Sequence, residues 1–247
     1  MSSVSEYVSA LKGLGASGEA PPLWFRGHAR SSYSLTPSSF RPPGYDQHEG
    51  AMLKRFMQDA QSFLVEGPAD RWEWLFLAQH HGVPTRLLDW SENALIALYF
   101  ATELGTSLEG MDPPDGRVWI LLPTNLNDLG TWRGQHREDL PLLGVDEHLE
   151  QYHPFEMVPP QSVLRPVACL ATRNFRRIQH QWGTFTITPE ARPLESGDGA
   201  DQYLRCLDIP ATAKHDLRDE LVHLGIQERF VYPDLHRLGA RVKELFS

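Results

Sequence analysis

The chain has 247 residues, with 23 Lys+Arg against 32 Asp+Glu and a formal charge of −9. It is 41% hydrophobic, 10% aromatic and 22% charged, which allows a substantial core and excludes collagen-like, coiled-coil and wholly disordered chains. The acidic balance argues against a general nucleic-acid coat while leaving room for a local basic cleft. No apolar run reaches the roughly eighteen residues of a membrane span. The opening MSSVSEYVSALKGLG lacks the basic start and apolar core of a secretory leader. Cys169 and Cys206 are too few for a disulfide scaffold and are not at metal-ligand spacing. A reducing cytoplasm is the expected compartment.

Residues 1–20 form an extension: a short amphipathic start, then a flexible Gly/Ala/Ser stretch. Pro21-Pro22 leads into Leu23-Trp24-Phe25, an aromatic strand closed by Gly27. Over 50–64, Met52, Leu53, Phe56, Met57, Ala60, Phe63 and Leu64 share one helical stripe. Asp70 is placed to cap a second helix carrying Trp72, Trp74, Leu75, Phe76 and Ala78, stopped by Gly82 and Pro84. A third helix, with Ser91 as its N-cap, runs through 94–101. It is apolar on nearly every side, so it belongs inside the protein. A Gly/Pro/Asp-rich loop at 105–116 precedes a strand at 117–122. Periodicity is poor from 125 to 160, which reads as a variable insertion. Strand patterns return at 163–171, 184–188 and 203–209, and helices close the chain at 213–224 and 234–246. The expectation is α+β, a single mixed domain over 21–247.

Polar residues cluster where these elements predict burial. Arg26 ends an aromatic strand beside Gly27, and its planar guanidinium suits phosphate or carboxylate. Gln79, His80, Thr85, Arg86 and Asp89 fall between two apolar helices, and buried polar groups need partners. An Arg86–Asp89 ion pair would be their plainest explanation. His80-His81 is a poor metal site, since adjacent side chains on a helix diverge and no ligand motif accompanies them; no metal is expected. Arg173, Arg176 and Arg177 make a local basic patch, and Gln181 stands just before a β-rich run. The serines of 34–39 sit in no nucleophile elbow, and no phosphate-binding glycine motif is present.

Phe25-Arg26-Gly27, then Gln79-His80-x-Gly82-x-Pro84-Thr85-Arg86-Leu87-Leu88-Asp89-Trp90-Ser91 running into Ala97-Leu98-Tyr99-Phe100-Ala101, resemble the FRG domain family. Arg177-Ile178-x-x-Gln181-x-Gly183-x-Phe185 is similar to its third block, and Phe230-x-x-Pro233-Asp234-Leu235 to its closing one. A weaker resemblance is to ADP-ribosyltransferases, whose three elements look like Phe25-Arg26-Gly27, Asp89-Trp90-Ser91 with the following helix, and Gln181. This chain departs from that pattern in having no glutamate at the third element.

That resemblance implies a split β-sheet core with surrounding helices and an NAD-dependent transferase acting as a toxin or effector, with bacterial anti-phage defence as a setting. NAD would be the substrate. Arg26, His80, Asp89 and Gln181 would be catalytic, and Phe25, Arg26, Gly27, Arg86, Trp90 and Ser91 would bind NAD, with Trp90 or another aromatic packing on nicotinamide. The patch of Arg173, Arg176 and Arg177 admits RNA or DNA as acceptor, and an antitoxin or regulatory protein is a further partner. A non-catalytic nucleotide-sensing module is the alternative. A nucleotide or nucleic-acid hydrolase would need a metal site or an activated nucleophile, and the sequence offers neither.

Overall fold

The computed structural model describes residues 1–14, 22–104, 113–130, 139–156, 164–173, 176–233 and 242–243, without the side chains of 176 and 177. Its elements in chain order are α1 (Val4–Leu14), β1 (Trp24–His28), α2 (Glu49–Ala60), α3 (Arg71–His80), β2 (Leu87–Ser91), α4 (Ala94–Ala101) and β3 (Gly116–Leu121). Then follow α5 (Pro123–Leu129), β4 (Val167–Cys169), α6 (Arg176–Gln181), β5 (Gly183–Ile187), α7 (Ala200–Tyr203), β6 (Leu204–Ile209), α8 (Lys214–His223) and α9 (Glu228–Val231). The strands form one six-stranded sheet in the order β4-β5-β2-β1-β3-β6, paired antiparallel throughout. This is the α+β class expected.

Alternation along the strands sorts side chains to two faces. On one face, Leu87 of β2 with Phe185 and Ile187 of β5 packs against α3. The same face of the other half carries Phe25, Val118, Ile120 and Ile209, covered by α4, α8 and α1. The opposite face holds Trp24, Leu88, Trp90, Trp119 and Leu121 under Leu126 of α5 and the Leu35 and Leu194 segments. The two helical covers leave the centre of the first face between them, where β1 and β2 share one register pair, Phe25↔Ser91.

Local chemistry explains most boundaries. Asp70 caps α3 as expected, accepting from the backbone N–H of Trp72 at 2.7 Å and Glu73 at 2.9 Å. Gly82, in the left-handed region at φ 84°, follows that helix. The cap of α4 is Asn93, whose side chain accepts from Leu95 N–H at 2.9 Å. Ser91 instead ends β2, and its hydroxyl accepts from Asn93 N–H at 3.0 Å. Both residues are of the capping type, so the sequence alone placed the start early. Gly27 does not close β1, which runs on to His28. Its small size serves packing: a Cβ there would lie 1.9 Å from the Ala97 carbonyl oxygen, so α4 can lie this close only over glycine.

The 125–160 stretch is less of an insertion than its weak periodicity suggests. Asn127 of α5 exchanges two hydrogen bonds with Ala168 of β4, at 2.9 and 2.8 Å. Leu143, Leu149 and Tyr152 enter the α3 core. The strand expected over 163–171 is three residues long, and a short helix, α6, precedes β5. The helix expected over 234–246 lies outside the described residues, apart from 242–243.

Candidate functional site

The gap between the two helical covers holds two adjoining cavities. The larger, about 360 Å³, is walled by His80, His81, Phe185 and Tyr232. The smaller, about 140 Å³, is lined by Arg26, Gly27, Ser91 and Phe100. Asp89, Trp90 and Gln181 border both. One cleft therefore gathers residues from β1, β2, α3, α6 and the strap around α9.

Asp89 lies on the α3 side of β2, and its side chain is 54% exposed. Its orientation is set from both sides. Thr85 donates its hydroxyl to Gln79 Oε1 at 3.0 Å, which turns the Gln79 amide to donate to Asp89 Oδ1 at 2.9 Å. Arg26 Nη1 donates to the Asp89 backbone carbonyl and stands 3.7 Å from Oδ2. Past the Phe25↔Ser91 pair the ladder between β1 and β2 stops, and the guanidinium bridges the opening.

Arg26 starts beside Trp119 on the opposite face of the sheet and is 19% exposed. Its Nε donates to His28 Nε2 at 3.1 Å. His28 Nδ1 must then carry the hydrogen, donated to the Tyr33 carbonyl at 3.2 Å. Burial and the neighbouring guanidinium push His28 down to about 3, so it stays neutral as an acceptor. Burial also lowers the Arg26 guanidinium from its ordinary value, and the Asp89 carboxylate opposes this. With Nε and Nη1 committed, Arg26 Nη2 has no hydrogen-bond acceptor among the described residues.

The cleft brings together Arg26, His80, Asp89 and Gln181, spread over 155 positions (181 − 26). Phe25, Gly27 and Ser91 join them in the smaller cavity. Ser91 donates its hydroxyl to the Gln181 carbonyl at 2.6 Å, and the Gln181 amide donates to the Val231 carbonyl at 2.9 Å. Gln181 thus ties β2 to the C-terminal strap.

Two expected residues take other roles. Arg86 is outside the cleft and does not pair with Asp89. It is 5% exposed and forms a fork with Glu49, which is 1% exposed: Nε reaches Glu49 Oε2 at 2.8 Å and Nη2 at 2.6 Å. Glu49 also accepts from Arg86 N–H at 2.8 Å. Trp90 borders the cleft but is only 3% exposed. Its indole N–H is spent on Thr186 Oγ1 at 3.0 Å, on the face away from Asp89, so no ring face is open to stack on a ligand. His81 and Tyr232 are wall residues that the sequence reading missed. A signal was present in the doubled histidine and in the closing block around Phe230.

Neither a curated protein nor a solved structure matches the chain. A family model does: the FRG domain matches residues 21–108, a span that runs from β1 through α4 and holds Arg26, Gln79, His80 and Asp89. Gln181 and Tyr232 lie beyond it.

Proposed function

We propose that the cleft binds NAD and that the chain transfers its ADP-ribosyl group to an acceptor. The observation carrying this reading is the Asp89 carboxylate, held by Gln79 and Arg26 where a ring-walled cavity meets one with a guanidinium at its edge. A nucleotide with a flat base and a charged diphosphate has that division.

In the reaction, the ribose–nicotinamide C–N bond breaks and its electron pair leaves with nicotinamide. An acceptor oxygen attacks the resulting cation at the ribose carbon and loses its proton. Asp89 faces the developing cation and supplies compensating negative charge, without reorganising because its orientation is already set. Arg26 Nη2 offers its two N–H groups to the diphosphate. His80 and Tyr232 flank the nicotinamide, taking the part expected of Trp90. Gln181 reaches the ribose 2′-hydroxyl by exchanging its bond to Val231. Such a transferase would act as a toxin or effector in the cytoplasm, with a regulatory or antitoxin protein as partner. A second reading, a nucleotide sensor that binds without cleaving, is favoured by the glutamine, in place of glutamate, at position 181.

Calorimetric titration with NAD tests the binding half. The wild type binds, and Arg26→Lys weakens binding by about ten- to a hundredfold, because an ammonium cannot keep the His28 and Asp89 contacts while also serving the ligand. NAD failing to bind, or binding Arg26→Lys at wild-type affinity, sinks the reading.

A further inference from the structure

Between α6 and β5 stands a tryptophan whose placement the cleft itself does not explain. Trp182 has φ 51°, the one non-glycine positive φ among the described residues. A bulky residue in the left-handed region is strained, and such strain persists only where surrounding contacts enforce it. Those contacts are present: Trp182 N–H donates to the Gln179 carbonyl at 3.2 Å, and its own carbonyl accepts from Glu92 N–H at 3.0 Å. The strain does not serve the core, since Trp182 is 47% exposed. Its neighbours Gln181 and Gly183 both line the larger cavity, so position 182 adjoins the cleft.

Among the described residues the ring meets one cation. The Arg173 guanidinium lies over it, 5.4 Å from the centroid, and is itself held by an ion pair to Glu92. Glu92 therefore fixes both the Trp182 backbone and the cation above its ring, and the residue stays 47% exposed. In sequence, Arg173, Arg176 and Arg177 fall within five positions of a chain whose formal charge is −9.

We infer that Trp182 is a stacking platform for an unpaired base of a single-stranded nucleic acid, held beside the cleft as the acceptor. A fixed, open indole stacks on any base, an arginine adds cation–π attraction, and local basic residues track phosphates. The inference extends the transferase reading by naming its acceptor class, and its test uses no NAD, so the two stand or fall separately.

The test is fluorescence anisotropy of a short fluorescein-labelled single-stranded RNA with the full chain. Wild type binds the strand and Trp182→Phe retains binding. Trp182→Gly weakens it by about tenfold or more, with its melting temperature little changed, because relief of the strain at φ 51° offsets the added unfolded-state entropy of glycine. Binding loss without stability loss separates a platform from a structural role. Three results overturn the inference: no binding by wild type, wild-type affinity in Trp182→Gly, or equal affinity for a duplex of the same sequence, whose bases are already stacked.

Discussion

Arg26 is held by two partners that ask different things of the chain. Asp89 receives its positive charge, while His28 accepts its Nε–H only as a neutral imidazole. His153 is in a related position elsewhere: buried, accepting from Phe155 N–H through Nδ1 and facing the Arg71 carbonyl through Nε2, it is lowered by burial to about 4. Both histidines titrate below the ordinary 6.5. The unfolded chain therefore binds more protons than the folded one below that value. Their contribution to stability is full above pH 6.5 and is lost as pH falls toward their folded values, by about 1.4 kcal/mol per pH unit for each histidine. Denaturant melts across pH 4 to 7 check this. His28→Gln or His153→Gln should flatten the acid limb by that slope, and an unchanged limb would show that the histidines are not held neutral.

At the scale of elements, the Glu49–Arg86 fork joins the start of α2 to the residue before β2. Burial raises the Glu49 carboxyl above its ordinary value, and Arg86 opposes that shift. Arg86 Nη1 is buried without a hydrogen-bond partner among the described residues, so the fork leaves one of its donors unsatisfied there. Glu49→Ala should cost about 3–5 kcal/mol by leaving a buried guanidinium uncompensated, whereas Glu49→Leu with Arg86→Met should recover much of the loss. Urea denaturation of both variants decides. A cost under about 1 kcal/mol in the single variant would contradict a buried guanidinium left without its counter-charge.

The same pair shows what could be read from sequence. Asp70, Gly82 and the all-apolar 94–101 segment are local signals, and the structure bears them out. Arg86 and Trp90 could not be placed that way. They sit among motif residues, but burial depends on which face of β2 each side chain takes and on Glu49 and Thr186, far away in the chain. The convergence of Arg26, His80, Asp89 and Gln181 was legible because each is a polar residue among apolar neighbours, although Arg26 and Asp89 stand mid-strand in β1 and β2 rather than at the ends expected. The Gln79–Thr85 bonds that orient Asp89 were visible only as a cluster of polar types.

For the whole molecule, the division of labour follows from the sheet. Two helical covers, α3 on one half and α4 with α8 on the other, leave the central β1–β2 seam open. Gly27 lets α4 close down beside that seam, and the seam's loss of ladder pairing is where Arg26 and Asp89 meet. The segment that the FRG-domain model matches, 21–108, supplies the β1–β2 part of this floor, and the later α6–β5 junction and the residues after α9 add further walls. Fold and candidate chemistry are thus joined at one place, the Asp89 carboxylate.

Nicotinamide release from NAD by Asp89→Asn, beside wild type, is the most direct measurement of that claim. The substitution keeps the shape and the Gln79 and Arg26 neighbours while removing the negative charge. The account predicts that wild type releases nicotinamide and that Asp89→Asn still binds NAD but releases it about a hundred- to a thousandfold more slowly, as loss of a preorganised electrostatic contact requires. Intact NAD recovered from wild type, or release by Asp89→Asn at the wild-type rate, would contradict it.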